Sequence, residues 1–178
     1  MRLHLLGVEA MANCVEAEGP AVVSFHLAGQ AFAIDAEYVA EVVPNAWLAR
    51  PPALPAMVAG LLDLGGEAVT VLRGDWVLGL DEQRFGLDAS ILILKGTPPR
   101  VGLRTGRVDG VRAAQSCRPV TVDAARSFQG SLRGQLVHDG GIINLLDWPR
   151  LLGVEERARL DEFRSRAAAR LAAWQEAP

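Results

Sequence analysis

The feature that most constrains this chain is a hairpin written twice. "GLLDLGGEAVTVL" runs from Gly60 to Leu72, and "GQLVHDGGIINLL" runs from Gly134 to Leu146. Each opens on Gly, carries apolar residues into a Gly-Gly pair and continues as an apolar run ending in Leu. A two-residue hairpin loop needs positive φ at its centre, which glycine adopts without steric cost. Both segments therefore predict antiparallel strand pairs, turned at Gly65-Gly66 and at Asp139-Gly140-Gly141. The neighbourhood is duplicated too. "PRVGLRTGRVDGVRA", from Pro99, repeats the scheme of Phe32–Val43: an apolar strand, a break and a Val-rich return. Short strands in two sets, punctuated by Gly and Pro, predict a mainly β fold of two small barrels with about five strands each.

The rest of the chain fits around those sets. In "VVSFHLAGQAFAI", Val23, Phe25 and Leu27 alternate with Ser24 and His26, the period of a half-buried strand. Ala28-Gly29-Gln30 supplies the turn, and Phe32 and Ile34 resume the strand. Asp35 is placed to cap a short helical turn, after which Val39, Val42 and Val43 favour a strand again. Four prolines between Pro44 and Pro55 exclude regular structure there. "DWVLGL" reads as a helical turn, "EQRFGLDAS" as a connector and "ILILK" as a strand. From Val154 to Ala177 the period changes: Leu160, Phe163, Ala167, Leu171 and Trp174 recur at steps of three and four, an amphipathic helix whose stripe is expected to pack on a barrel, with a partner-binding helix as the alternative. The expected organisation is an arm over residues 1–20, a first barrel over about 21–82, a second over about 88–153, with exchange of strands between them left open, and a helix over 154–178.

Chemistry is scarce. Half of the 178 residues are hydrophobic, 22% are charged and the net charge is −3, a globular composition without the basic face that nucleic acid demands. No run approaches the ~20 apolar residues of a membrane-spanning helix, and the first residues lack a signal-peptide cleavage pattern. Cys14 and Cys117 fit no metal or redox spacing, so a cytoplasmic protein with reduced thiols is expected. His4, His26 and His138 are scattered, with no spacing for a metal. Arg118 beside Cys117 favours a thiolate, but no base accompanies it. Asp63, Glu67, Asp75 and Asp81 read as solvated carboxylates. Neither Gly-Gly pair sits in a phosphate-loop frame. The expectation is a protein that is not an enzyme and uses no cofactor and no metal. Trp76 and Trp148 follow the two hairpins at matching points and predict equivalent packing roles. Trp47, in the proline-rich loop, is the tryptophan expected at the surface, as a binding anchor or as cover for a core edge.

Four segments together resemble the CheW-like family of adaptor proteins in bacterial chemosensory arrays: "FHLAGQAFAIDAEYVAEVV" (Phe25–Val43), "ARPPALPAMVAGLLDL" (Ala49–Leu64), "VGLRTGRVDGV" (Val101–Val111) and "GIINLLDWPRLLG" (Gly141–Gly153). The resemblance implies two SH3-like five-stranded β-barrels packed side by side with a C-terminal α-helix. It implies a non-enzymatic adaptor, bridging the cytoplasmic tip of a chemoreceptor to the regulatory domain of a CheA-type histidine kinase. By position in the matching segments, Val39, Glu41, Val43, Val101 and Leu103 are the receptor-groove candidates. Leu62, Leu64 and Val71 are the kinase-facing ones. For every one of these apolar residues plain core packing is the competing role.

The chain also departs from the family pattern. The family's Asn-Leu-Arg-Gly at the first hairpin is Asp63-Leu64-Gly65-Gly66 here, so Gly65 replaces an arginine that lies near a glutamate matching Glu41. Glu41 is therefore expected to lack its partner. Pro-Val-Ile-Asp-Leu-Arg becomes Thr70-Val71-Leu72-Arg73-Gly74-Asp75, which reverses the charges, and a common aspartate is Gly106. These departures leave a rival reading: a double barrel that has lost those partners and self-assembles or binds a small ligand.

Overall fold

The structure is a computed structural model that describes residues 20–96, 100–114, 118–120 and 128–175. The expectations for the N-terminal arm, for Cys14 and Cys117, and for the side chains of Ala167, Leu171 and Trp174 lie outside the described residues.

The strands are β1 (Ala21–Leu27), β2 (Gln30–Asp35), β3 (Val39–Pro44), β4 (Val58–Leu64), β5 (Glu67–Arg73), β6 (Ser90–Leu94), β7 (Val101–Thr105), β8 (Val108–Ala113), β9 (Arg118–Val120), β10 (Leu132–His138) and β11 (Gly141–Leu146). A short helix, α1 (Gly74–Val77), follows the first repeated hairpin. A 3₁₀ turn at Trp148–Arg150 follows the second, and α2 (Val154–Gln175) ends the described chain. Three hairpins close on two-residue loops. Leu27 faces Gln30, Leu64 faces Glu67 and His138 faces Gly141. All six loop residues have positive φ: Ala28 and Gly29, Gly65 and Gly66, Asp139 and Gly140. That is the turn whose twist matches the flanking strands.

Two sheets result, one in the order β8-β1-β2-β11-β10-β9 and one in the order β3-β6-β7-β5-β4. Neighbours run antiparallel except β2 with β11 and β5 with β7. Each sheet draws strands from both halves of the chain. β1 and β2 of the first repeat sit among β8, β10 and β11 of the second. Reciprocally, β6 and β7 of the second sit among β3, β4 and β5 of the first. The two repeats thus trade their opening hairpins.

Packing explains why the strands read as long apolar runs. Val23, Phe25, Leu27, Phe32 and Ile34 from one sheet meet Leu72, Leu92, Leu94 and Leu103 from the other in a shared central core. The opposite faces are also buried: Val69, Val71, Ile91 and Ile93 line the inside of the five-stranded sheet, and Val22, Ala33, Leu136 and Ile143 that of the other. A strand covered on both faces loses the simple alternation. Ser24 shows the consequence. Expected on a solvated face, it is buried, and its hydroxyl accepts a hydrogen bond from Arg112 Nε at 3.1 Å. Asp35 also differs from expectation. A 3₁₀ turn follows it, but its side chain caps nothing; its carboxylate is held by Arg133 of β10, with Nη2 donating to Oδ1 at 2.8 Å. Leu160 of α2 is buried and Phe163 packs against the central core, fixing the helix start on the barrels. There Glu156 reaches back to accept from the Gly153 N–H at 2.7 Å, half of a capping box. Among the described residues no helix is long and apolar enough to cross a membrane.

Candidate functional site

The order β3-β6-β7-β5 brings β3 and the start of β5 to either side of the residue that precedes β7. That residue is Arg100. Its backbone N–H donates to Glu67 Oε1 at 2.9 Å, and its Nε and Nη2 donate to Oε2 at 3.0 and 2.9 Å. Its Nη1 donates to Glu41 Oε1 at 3.2 Å. The side-chain bonds from Arg100, then its backbone bond, hold Glu67 below the usual carboxylate range, and Glu67 raises the guanidinium above its ordinary value. Glu41 is not orphaned, as Gly65 had implied. The cation arrives from β7 instead of from the hairpin turn. The sequence shows Arg100 only as a charge ahead of an apolar strand, because the order of strands in the sheet, and not spacing along the chain, creates this contact.

The candidates separate by exposure. Glu41 is exposed and Val43 and Val101 are half-buried, so these three keep surface open to a partner, Val43 packing against the inner cluster of the five-stranded sheet and Val101 against the central core. Val39 is 9% exposed and Leu103 fully buried, both in the central core. Leu103 offers a partner no surface, and its place is packing. Of the kinase-facing candidates, Val71 is fully enclosed and Leu62 buried inside the five-stranded sheet, while Leu64 is partly covered by the same cluster. Alternation on a doubly covered sheet hides this distinction from sequence reading.

Two other departures have local causes. A Cβ at Gly106 would stand 2.7 Å from the backbone oxygen of His26, whose carbonyl accepts the Gly106 N–H at 2.9 Å, so this close approach excludes an aspartate. The reversed charges at Arg73 and Asp75 still meet: Arg73 Nη2 donates to Asp75 Oδ2 at 3.0 Å. Burial pushes Asp75 up, but the bonds from Arg73 and from the backbone N–H groups of Gln83 and Trp76 outweigh it and hold the carboxyl below its ordinary value. Asp75 is thus a buried anchor and not a solvated carboxylate.

His26 Nδ1 lies 3.3 Å from Asp109 Oδ2, and His138 Nε2 lies 2.6 Å from Arg112 Nη1 and 3.2 Å from Asp139. Among the described residues no three His, Cys, Asp or Glu side chains group as metal ligands. Trp76 and Trp148 both pack partly buried against the central core, the equivalent roles their positions imply. Trp47 is 84% exposed.

A family model described as the CheW-like domain matches residues 21–156. The chain is 26% identical over 133 residues to the chemotaxis protein CheW of Thermotoga maritima, a match covering 74% of this chain and 86% of that one. The solved structure of the scaffolding protein TtCheW from Thermoanaerobacter tengcongensis superposes with a TM-score of 0.65 at 20% identity, over 86% of this chain and 95% of that one. That likeness bears on the fold: two SH3-like units with a C-terminal helix.

Proposed function

The chain belongs to the CheW-like family, and from that premise we infer that it is a non-enzymatic adaptor coupling chemoreceptors to a CheA-type histidine kinase in a chemotaxis-like pathway. The family match across both barrels carries this reading. At finer scale, the receptor's cytoplasmic tip docks beside Glu41, Val43 and Val101, with Arg100 orienting Glu41 from below. The kinase's regulatory domain docks at the end of the β4–β5 hairpin, where Leu64 is the member of its candidate set that is neither enclosed nor buried. An adaptor needs no reacting group; it holds two partners in a fixed relation, and a signal shifts which arrangement is favoured. It acts in the cytoplasm, where both partners' signalling domains lie.

Glu41 retaining a cation favours this reading over the self-assembling or ligand-binding rival, because the departure at Gly65 no longer implies a dismantled docking face. Titration with a receptor-tip fragment and with a kinase regulatory domain from the same organism tests it. Binding is expected with both, and Glu41→Lys should weaken the receptor fragment about tenfold, the loss of about 1.4 kcal/mol, while leaving the kinase domain unaffected. Failure of both partners to bind sinks the adaptor role.

A further inference from the structure

At the far end of β7 lies a pocket of about 350 Å³, walled by the proline-rich segment, the 81–89 connector and the ends of β5 and β7. Arg73 and Arg104 are register partners across the parallel β5–β7 pair, so their side chains enter it together. Arg50 enters from the proline-rich side. Arg73 is engaged by Asp75 and by Glu82, which also lines the pocket. Arg50 and Arg104 have no ion-pair partner among the described residues. Arg104 rests its guanidinium 4.5 Å from the Phe85 ring centre and donates Nε to Asn45 Oδ1 at 3.0 Å. Burial is the main influence lowering its proton affinity; Asp75 opposes it and the Arg50 charge adds to it. Two neighbouring guanidiniums, one half-buried, thus have no carboxylate in ion-pair contact among the described residues, the nearby Asp75 and Glu82 both being engaged by Arg73. Trp47 stands on the rim, 84% exposed.

We propose that this pocket binds an acidic peptide segment of a protein partner, seating one carboxylate between Arg50 and Arg104 and the neighbouring apolar side chain against Trp47. Charge complementarity selects the carboxylate, since an arginine fork matches its two oxygens. The exposed tryptophan selects a peptide over a free anion, because a small dicarboxylate leaves that ring uncovered, whereas Trp beside Arg is the composition of binding hot spots. The size agrees: the volume lies at the low end for ligand sites, enough for a few side chains and not for a folded domain. The site is separate from the Arg100 face and stands whether or not the docking assigned to that face is right.

The test is an array of short peptides carrying one Glu flanked by each apolar residue in turn, with Gln-containing twins, followed by anisotropy titration of the best binder. Glu peptides should bind about tenfold or more tightly than their twins, and raising salt from about 0.05 to about 0.5 M should abolish the difference. Arg50→Gln and Trp47→Ala, both at exposed positions where the fold is not at stake, should each weaken binding about tenfold. Glu41→Gln should leave it unchanged. Citrate should displace the peptide only at about a hundredfold excess. No preference for Glu over Gln, an unaffected Arg50→Gln variant, or citrate competing at equal concentration would each overturn the proposal.

Discussion

Arg100 immediately precedes β7 and Arg104 is its penultimate residue, about 13 Å apart at the rise of a β-strand. Arg100 is gripped by two carboxylates; Arg104 has no ion-pair partner among the described residues. The contrast follows from what the parallel neighbour β5 carries. β5 begins at Glu67, beside Arg100, and ends at Arg73, the register partner of Arg104. Opposite charge at the first end closes a cluster that orients Glu41. Like charge at the second leaves cationic surface, because Arg73 brings Arg104 no counter-charge and itself engages Asp75 and Glu82. Residue type alone therefore says little about the role of an arginine; the strand beside it decides.

The largest effect should come from the residue between the two arginines. Leu103 is fully buried in the central core, so Leu103→Ala should cost about 2–5 kcal/mol in chemical denaturation. Its folded fraction should still bind receptor-tip fragment as the parent does. A selective loss of receptor affinity with unchanged stability would return Leu103 to the contact set and erase the distinction between core and docking residues.

Next in size is Arg73→Ala at the open end. It leaves Asp75, 1% exposed, with only the backbone N–H groups of Gln83 and Trp76. The expected cost is about 1–3 kcal/mol. Because Asp75 is held below its ordinary value, its contribution is present at neutral pH and fades as pH falls through the folded-state value. The stability gap between parent and variant should therefore narrow below the ordinary aspartate range.

Arg100→Gln should have a smaller effect on stability, since that cluster is open to water, but with a clear pH signature. Glu67 is lowered by Arg100. Its contribution is complete above the ordinary glutamate value of 4.5 and lost as pH falls through the lower folded value. Denaturation from pH 7 to pH 3 should show a constant gap between parent and variant down to about 4.5, closing below it. A gap that widens in acid would mean that Arg100 does not stabilise the ionised carboxylate.

The mainly β character, the positions of the turns, the short helix after the first hairpin and the start of a helix at Val154 are legible in sequence, since each rests on local chemistry: positive φ at the loops and a change of period at Val154. Three things are not legible. The exchange of opening hairpins between repeats stays undecided, because two similar repeats offer similar edges and only the assembled core selects a partner. The burial of Ser24, Val71 and Leu103 depends on both faces of a strand being covered. The Arg100 cluster depends on the strand order, which joins Glu41 of β3 and Glu67 of β5 to the residue that precedes β7. Gly106 can be seen as a departure, but the carbonyl of His26 that excludes a side chain there comes from a distant strand.

The smallest effect belongs to Gly65→Arg, which restores the family's arginine and bears most directly on why one end of β7 is compensated. Gly65 sits at φ +63°, and a Cβ added there would meet no atom within 4 Å, so an arginine faces backbone strain but no clash. The left-handed conformation costs a non-glycine residue about 1–2 kcal/mol, and the stiffer unfolded chain returns about half of that. A net loss below about 1 kcal/mol is expected. In the parent background the new arginine should not change receptor-fragment affinity, because Arg100 already satisfies Glu41. In the Arg100→Gln background it should recover part of the affinity lost, since Gly65 lies two residues from Glu67 in the same hairpin. Recovery would make a cation at Glu41 the requirement, whichever strand delivers it. Gly65→Arg acting equally in both backgrounds would mean that Arg100 serves its own position, and that the exchange of one arginine for the other changed the docking face.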